Sequence, residues 1–237
     1  MNNNYAAKPV LFSGPMVKAL VAGRKTQTRR IIKPQPMADG YYEGQLRMER
    51  VHHPDGADPD CYARFSADAV GGGAFVEKTI KMPYSIGDRL WVREAWHAAH
   101  GADAISPKDM DASWMVCPAV DWNYVDWGIK GRLRASIHMP RWASRLTLIV
   151  TDVRVQRLQE LTEADAQAEG IMQVGPGLFD YHEHAEIRFK TAKAAMHELW
   201  DGLNAKRGPY DWDANPWVVA LTFEVHRVNI DLIESKL

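Results

Sequence analysis

The chain has 237 residues, 46% hydrophobic and 25% charged, with a formal net charge of -1. That is the profile of a globular protein long enough to bury one large or two small cores, and it argues against a broad phosphate footprint. Cys61 and Cys117 stand too far apart for a metal clamp and exclude a small disulfide scaffold. The start MNNNYAAKPVLF lacks the basic beginning and long apolar core of a signal peptide, and no apolar run approaches the roughly 18 residues that span a membrane. A cytoplasmic protein with reduced thiols and no membrane partner is expected.

In chain order, Pro9-Val10-Leu11-Phe12 reads as a first strand. Ser13-Gly14-Pro15 then opens a helix over Met16 to Ala22, which Gly23 stops. From Arg24 a Thr-rich segment suits a second strand. Residues 34–83 contain five prolines and the triple glycine Gly71-Gly72-Gly73, the signature of an excursion, with a hairpin expected near Tyr41 to Val51. Some of so long a stretch should pack or pair. Gly87-Asp88 turns into a strand over Arg89 to Glu94, whereas 97–142 shows no sustained period. Leu146 to Val155 alternates apolar and polar residues and is the clearest strand. Thr162-Glu163-Ala164-Asp165 resembles a capping box and starts a short helix ending near Glu169-Gly170. A longer helix is expected from about Ala185 to Leu203, with Phe189, Ala192, Met196, Leu199 and Leu203 on one side. Trp217 to Val225 closes the series as a strand. Strands at both ends with short helices between them argue for a compact α+β domain or a small mixed barrel.

Charge is unevenly placed. The first 33 residues hold seven Lys or Arg and no Asp or Glu, so the other 204 carry a net -8. The basic knot Gly23-Arg24-Lys25-Thr26-Gln27-Thr28-Arg29-Arg30 can draw an anion to one place, or can be a solvated face. No phosphate loop, dinucleotide fingerprint, zinc-protease helix or nucleophile elbow is present. The histidines (His52-His53, His97, His100, His182 and His184) bring no Cys or carboxylate at metal-ligand spacing, so neither metal nor cofactor is expected. Lys25 and Thr28 would face opposite ways on a regular strand and could converge only if the chain turns or the strand starts later. A lysine beside a hydroxyl can act as a base if burial leaves its amine neutral, and Glu169 could relay a proton, hold a water or orient the lysine.

The stretch FSGPMVKALVAGRKTQTRR, then GDRLWVRE, then a Thr-x-x-x-Ala-x-x-Glu-Gly helix and a terminal aromatic-rich strand resemble the ASCH domain family. The large phage and prophage branch is the part of that family that the chain looks most like. The resemblance covers residues 8–33, 84–96, 142–170 and 185–225, and leaves the stretches at about 34–83 and 97–141 as insertions in a single domain over 1–237. It implies an α+β, PUA-like small mixed β-barrel with flanking helices and long insertions. One member type is a bacterial N4-acetylcytidine amidohydrolase, whose Lys, Thr and Glu pattern matches Lys25, Thr28 and Glu169. The resemblance therefore implies removal of an acyl group from the N4 amine of cytidine, in a modified nucleoside or RNA. In that mechanism neutral Lys25 takes the proton of Thr28, Thr28 attacks the carbonyl, and Glu169 moves a proton to the leaving amine or holds the hydrolytic water; a direct role for Lys25 in polarising the carbonyl is the other option. Arg24, Arg29, Arg30, Trp91 and Glu94 are the expected substrate- or phosphate-binding residues. The alternative is a non-catalytic RNA- or single-strand-binding module, with Arg24, Lys25, Arg29, Arg30 and Lys33 on phosphates and Trp91 or Trp96 stacking a base.

Overall fold

The computed structural model describes residues 7–36, 47–51, 62–67, 76–124, 130–181 and 188–235. In chain order these form β1 (Ala7–Leu11), α1 (Gly14–Val21), β2 (Gln27–Ile31), β3 (Arg47–Val51), β4 (Tyr62–Ala67), β5 (Val76–Lys81) and β6 (Arg89–Arg93). There follow β7 (Trp96–Ala99), β8 (Val116–Pro118), β9 (Lys130–Arg134), β10 (Thr147–Arg157) and α2 (Glu163–Ala168). The described chain ends with β11 (Met172–Gly175), β12 (Leu178–Asp180), α3 (Ala192–Asn204) and β13 (Trp217–His226), and short 3-10 turns fill several connections.

The central sheet has five strands in the order β1-β6-β10-β13-β2. The β1–β6 pair is parallel and the other pairs are antiparallel. Its core is the alternating face of the longest strands: Leu148, Val150 and Val153 of β10 meet Leu221 and Phe223 of β13, with Val17 and Leu20 of α1 in the same cluster. The register of β10 shifts between Val150 and Asp152, a bulge that adds local twist.

Among the described residues no sheet closes into a barrel, which corrects the expected PUA-like small mixed β-barrel. β1 and β2 are the two edges of the sheet and do not pair with each other. The 15 positions between them are spent on α1 and on a turn, and α1 buries Val17, Ala19 and Leu20 rather than leaving the edges free to meet. One side chain crosses between the edges instead of a ladder: Arg30 Nη2 of β2 donates to the carbonyl of Leu11 at 2.8 Å.

Both long excursions contain sheets of their own. β3, β4 and β5 form a three-stranded antiparallel sheet. Ala63, Phe65, Ile80 and Met82 join the main core, with the Phe65 ring edge-on to Trp217 at 5.1 Å. Of the expected hairpin only Arg47–Val51 is described, paired with Tyr62–Ser66, while 41–46, the triple glycine and His52-His53 lie outside the described residues. The second excursion folds as a β8-β7-β9 sheet around Trp96, Ala98, Ala102, Met110 and Met139. Arg134 fastens it, donating to the carbonyls of Ala102 and Ile105.

The helix boundaries follow from their caps. Gly23 takes φ 72° just past α1, a conformation cheap only for glycine. Thr162 and Asp165 form the expected capping box of α2. The long helix starts at Ala192, not near 185, because Thr191 caps it and Phe189 is extended in a bridge with Phe179; residues 185–187 lie outside the described set. No helix among the described residues is long and apolar enough to cross a membrane.

Candidate functional site at the open edge of the sheet

The two unpaired edges stand on either side of one cleft of ≈ 500 Å³. Leu11 and Phe12 line it from β1 and its end, and Thr28 to Ile31 from β2. The far wall is α3, through Met196, Leu199, Trp200 and Leu203. The side of α3 expected to be core is thus divided: Ala192 and Met196 are buried, whereas Leu203 is 42% exposed at the cleft.

Lys25 sits behind this cleft and is wholly buried. Its backbone belongs to a turn, not a strand, because β2 begins only at Gln27. The amide groups of Arg24 and Lys25 both donate to the carbonyl of Ala19, and the amide of Thr26 donates to that of Ala168. Residues 24–26 are thereby pinned between the ends of α1 and α2, and β2 starts later than Lys25, as convergence of Lys25 with Thr28 would require. Gly170, with φ 105°, packs against this turn; a Cβ there would stand 3.1 Å from that of Ala19 and 3.5 Å from that of Lys25.

Lys25 Nζ donates to Glu169 Oε2 at 2.7 Å and to the Glu169 carbonyl at 2.8 Å. Glu169 Oε1 accepts from Arg29 Nη1 at 3.1 Å. Arg29 Nη2 lies 3.3 Å from Asp165 Oδ2, and Asp165 Oδ1 accepts from Arg154 at 3.0 Å. Two carboxylates one helical turn apart on α2 and its end are therefore interleaved with three cations, as buried charges require. Burial pushes the Lys25 ammonium below its ordinary pKa; the attraction of Glu169 opposes this, and the charges of Arg30 and Arg29 add to it. Burial works against ionising Asp165, but hydrogen bonds from Arg154 and Thr162 outweigh it and hold the carboxyl well below its usual range.

Thr28 is 3% exposed, lines the cleft, and makes no side-chain hydrogen bond among the described residues. Glu169 lines the same cleft. No hydrogen bond joins Lys25 to Thr28, so the contacts present set Lys25 against Glu169 and leave Thr28 and Glu169 facing the open space.

The remaining expected residues separate. Arg29 and Arg30 line the cleft, the latter with its guanidinium 5.4 Å from the centre of the Phe12 ring. Arg24 is half-buried and does not line it. Trp91 is a buried β6 residue with Arg93 over its ring, and Trp96 is fully buried under Arg134. Glu94 is buried and takes two bonds from Arg145, which also pairs with Asp121. Neither Trp91, Trp96 nor Glu94 borders the cleft: Trp91 is packed in β6, Trp96 in the core of the β8-β7-β9 sheet, and Glu94 is turned to Arg145. Sequence reasoning did not find Ser136, Asn204 and Arg207, which line the cleft from two stretches, the turn at Ser136–His138 and the end of α3 with the turn after it. The half-apolar end of α3, with Leu203 followed by Lys206 and Arg207, was the one signal available.

Among the described residues no group of three or more His, Cys, Asp or Glu could hold a metal ion. With the barrel absent as well, neither the fold nor a metal site among the described residues supports the ASCH, PUA-like and hydrolase descriptions drawn from the resemblance. What remains is the Lys25–Glu169–Arg29 arrangement itself. No protein-family model matches the chain, and no curated protein and no solved structure matches it.

Proposed function

We propose that this cleft hydrolyses an acyl amide on the N4 amine of a cytidine, in a modified nucleoside or RNA met in the cytoplasm. The observation that carries the reading is Thr28, whose hydroxyl has no hydrogen-bond partner among the described residues, in the same cleft wall as a Glu169 carboxylate gripped by Lys25 and Arg29. The sequence pattern shared with the amidohydrolase of the ASCH family supports the choice of substrate.

Hydrolysis proceeds as follows in this proposal. Glu169 takes a proton from a water in the cleft as the water oxygen bonds to the acyl carbon. The Thr28 hydroxyl donates to the oxygen on which negative charge develops. The carbon–N4 bond then breaks, the proton on Glu169 passes to N4, and a carboxylic acid and cytidine leave. Lys25 acts through Glu169 as a positioning residue: two bonds to one residue fix the carboxylate, and its destabilised ammonium can lend a proton to the relay. This differs from attack by Thr28 with Lys25 as its base, for which the contacts offer no Lys25–Thr28 bond.

The test is incubation with N4-acetylcytidine and chromatographic detection of cytidine. Thr28→Val and Glu169→Gln should each lower the rate at least about 100-fold, the usual scale for loss of a positioned proton-transfer or charge-stabilising group. No release of cytidine above buffer by the unaltered protein, or full rates in both variants, overturns the reading. A cleft that binds cytidine without turnover would instead mark the non-catalytic nucleic-acid module, which the cations at the cleft favour.

A further inference from the structure

The charges on the cleft surface do not balance. Arg29, Arg30, Lys33 and Arg207 line it against one carboxylate, Glu169. That carboxylate is already engaged by Arg29 and by Lys25 behind it. The three outer cations are left with no ion pair to a described residue. Arg30 gives one hydrogen bond to the Leu11 carbonyl, and Lys33 rests 4.9 Å from the centre of the Tyr210 ring. Arg207 makes no hydrogen bond or ion pair with a described residue. These cations come from two segments far apart in sequence, β2 with its exit and the turn after α3, so the fold gathers them at one mouth.

We infer that the ligand of this cleft carries a phosphate ester: a nucleotide or the end of a nucleic-acid strand rather than an uncharged nucleoside, with the phosphate on Arg30, Lys33 and Arg207. An uncharged nucleoside would leave three cations gathered at one mouth without a counter-charge. A phosphate supplies acceptor oxygens for both guanidinium groups and the ammonium at once. Its charge also favours the Lys25 ammonium behind Glu169, so binding of phosphate and protonation of the relay are linked. The inference rests on the proposed cytidine chemistry for the identity of the base, and on the cleft's charge for the phosphate.

The experiment measures calorimetric binding of cytidine, cytidine 5′-monophosphate and a short cytidine-containing oligonucleotide, at low and at high salt. The monophosphate should bind about tenfold more tightly than cytidine at low salt, from three modest charge pairs, and lose most of that advantage at high salt. An oligonucleotide equal to the monophosphate identifies a single phosphate anchor, and one tighter still identifies a strand end; both support the inference. Equal binding of all three ligands overturns it. In Lys33→Gln/Arg207→Gln, two solvent-exposed changes, the preference should shrink to within about twofold, and an unchanged preference refutes the placement. Turnover of N4-acetylcytidine without any phosphate preference would leave the proposed chemistry standing and sink this inference. Phosphate preference without turnover would do the reverse.

Discussion

Removing Glu169 tests whether the buried charges behind the cleft act as one unit. In Glu169→Gln the side chains of Lys25 and Arg29, both fully buried, face a neutral amide in place of the carboxylate 2.7 and 3.1 Å away. Breaking a buried pair from one side costs about 3–5 kcal/mol, a large part of the roughly 5–15 kcal/mol that holds a domain folded. Lys25→Met deletes one cation but leaves Arg29 on the carboxylate, so its cost should sit lower, at about 1–3 kcal/mol. In Lys25→Met/Glu169→Gln the uncompensated lysine is gone and Arg29 keeps Asp165 at 3.3 Å. The double variant should therefore be more stable than the sum of the singles predicts, by about 1–3 kcal/mol of coupling. Urea unfolding with a common slope across the four proteins measures this. Additivity to within about 0.5 kcal/mol would refute the argument that Glu169 serves both cations at once. Because Lys25 is bound into the fold in this way, loss of activity in a lysine variant has to be read beside its stability.

Gly170→Ala should destabilise by more than about 1 kcal/mol, since the residue has φ 105° and the added Cβ would press on the turn that carries Lys25; an unchanged unfolding midpoint would contradict the described packing. Acid unfolding should report Asp165: its folded pKa is held below the unfolded value of about 3.9, so its stabilising contribution is present above that pH and fades as pH falls through and below it. In Asp165→Asn the acid-side fall in unfolding free energy should be shallower, and an identical pH slope would show that the Arg154 and Thr162 contacts do not hold the carboxyl.

Local chemistry made several elements legible in the sequence. Gly23 ends α1, Thr162 and Asp165 cap α2, and the alternation of Leu146 to Val155 becomes the longest strand because each signal acts within a few residues. Closure of the sheet was not legible, since it depends on whether Leu11 and Gln27 meet across α1, which no local pattern encodes. The same division holds at the cleft. Lys25, Thr28, Arg29 and Glu169 stand near one another because a turn and two helix ends converge, whereas Trp91 and Glu94, close to Arg93 in sequence, are drawn into packing. Arg207 is placed by the C-terminal turn of α3, a position that spacing from the basic knot could not reveal.

The pairing of β2 has a consequence for synthesis. Although β1, α1 and β2 lie within the first 31 residues, β2 finds its ladder partner among the described residues in β13, at Trp217–His226. During translation the basic knot therefore leaves the ribosome about 190 residues before the strand that fixes it, and long-range pairing of this kind is slow to form. Until α2 and its end are made, Lys25 and Arg29 also lack the carboxylates of Glu169 and Asp165 that pair with them in the finished fold. A nascent or C-terminally truncated chain is thus a different electrostatic object from the finished protein, and the cleft is among the last parts of the molecule to exist.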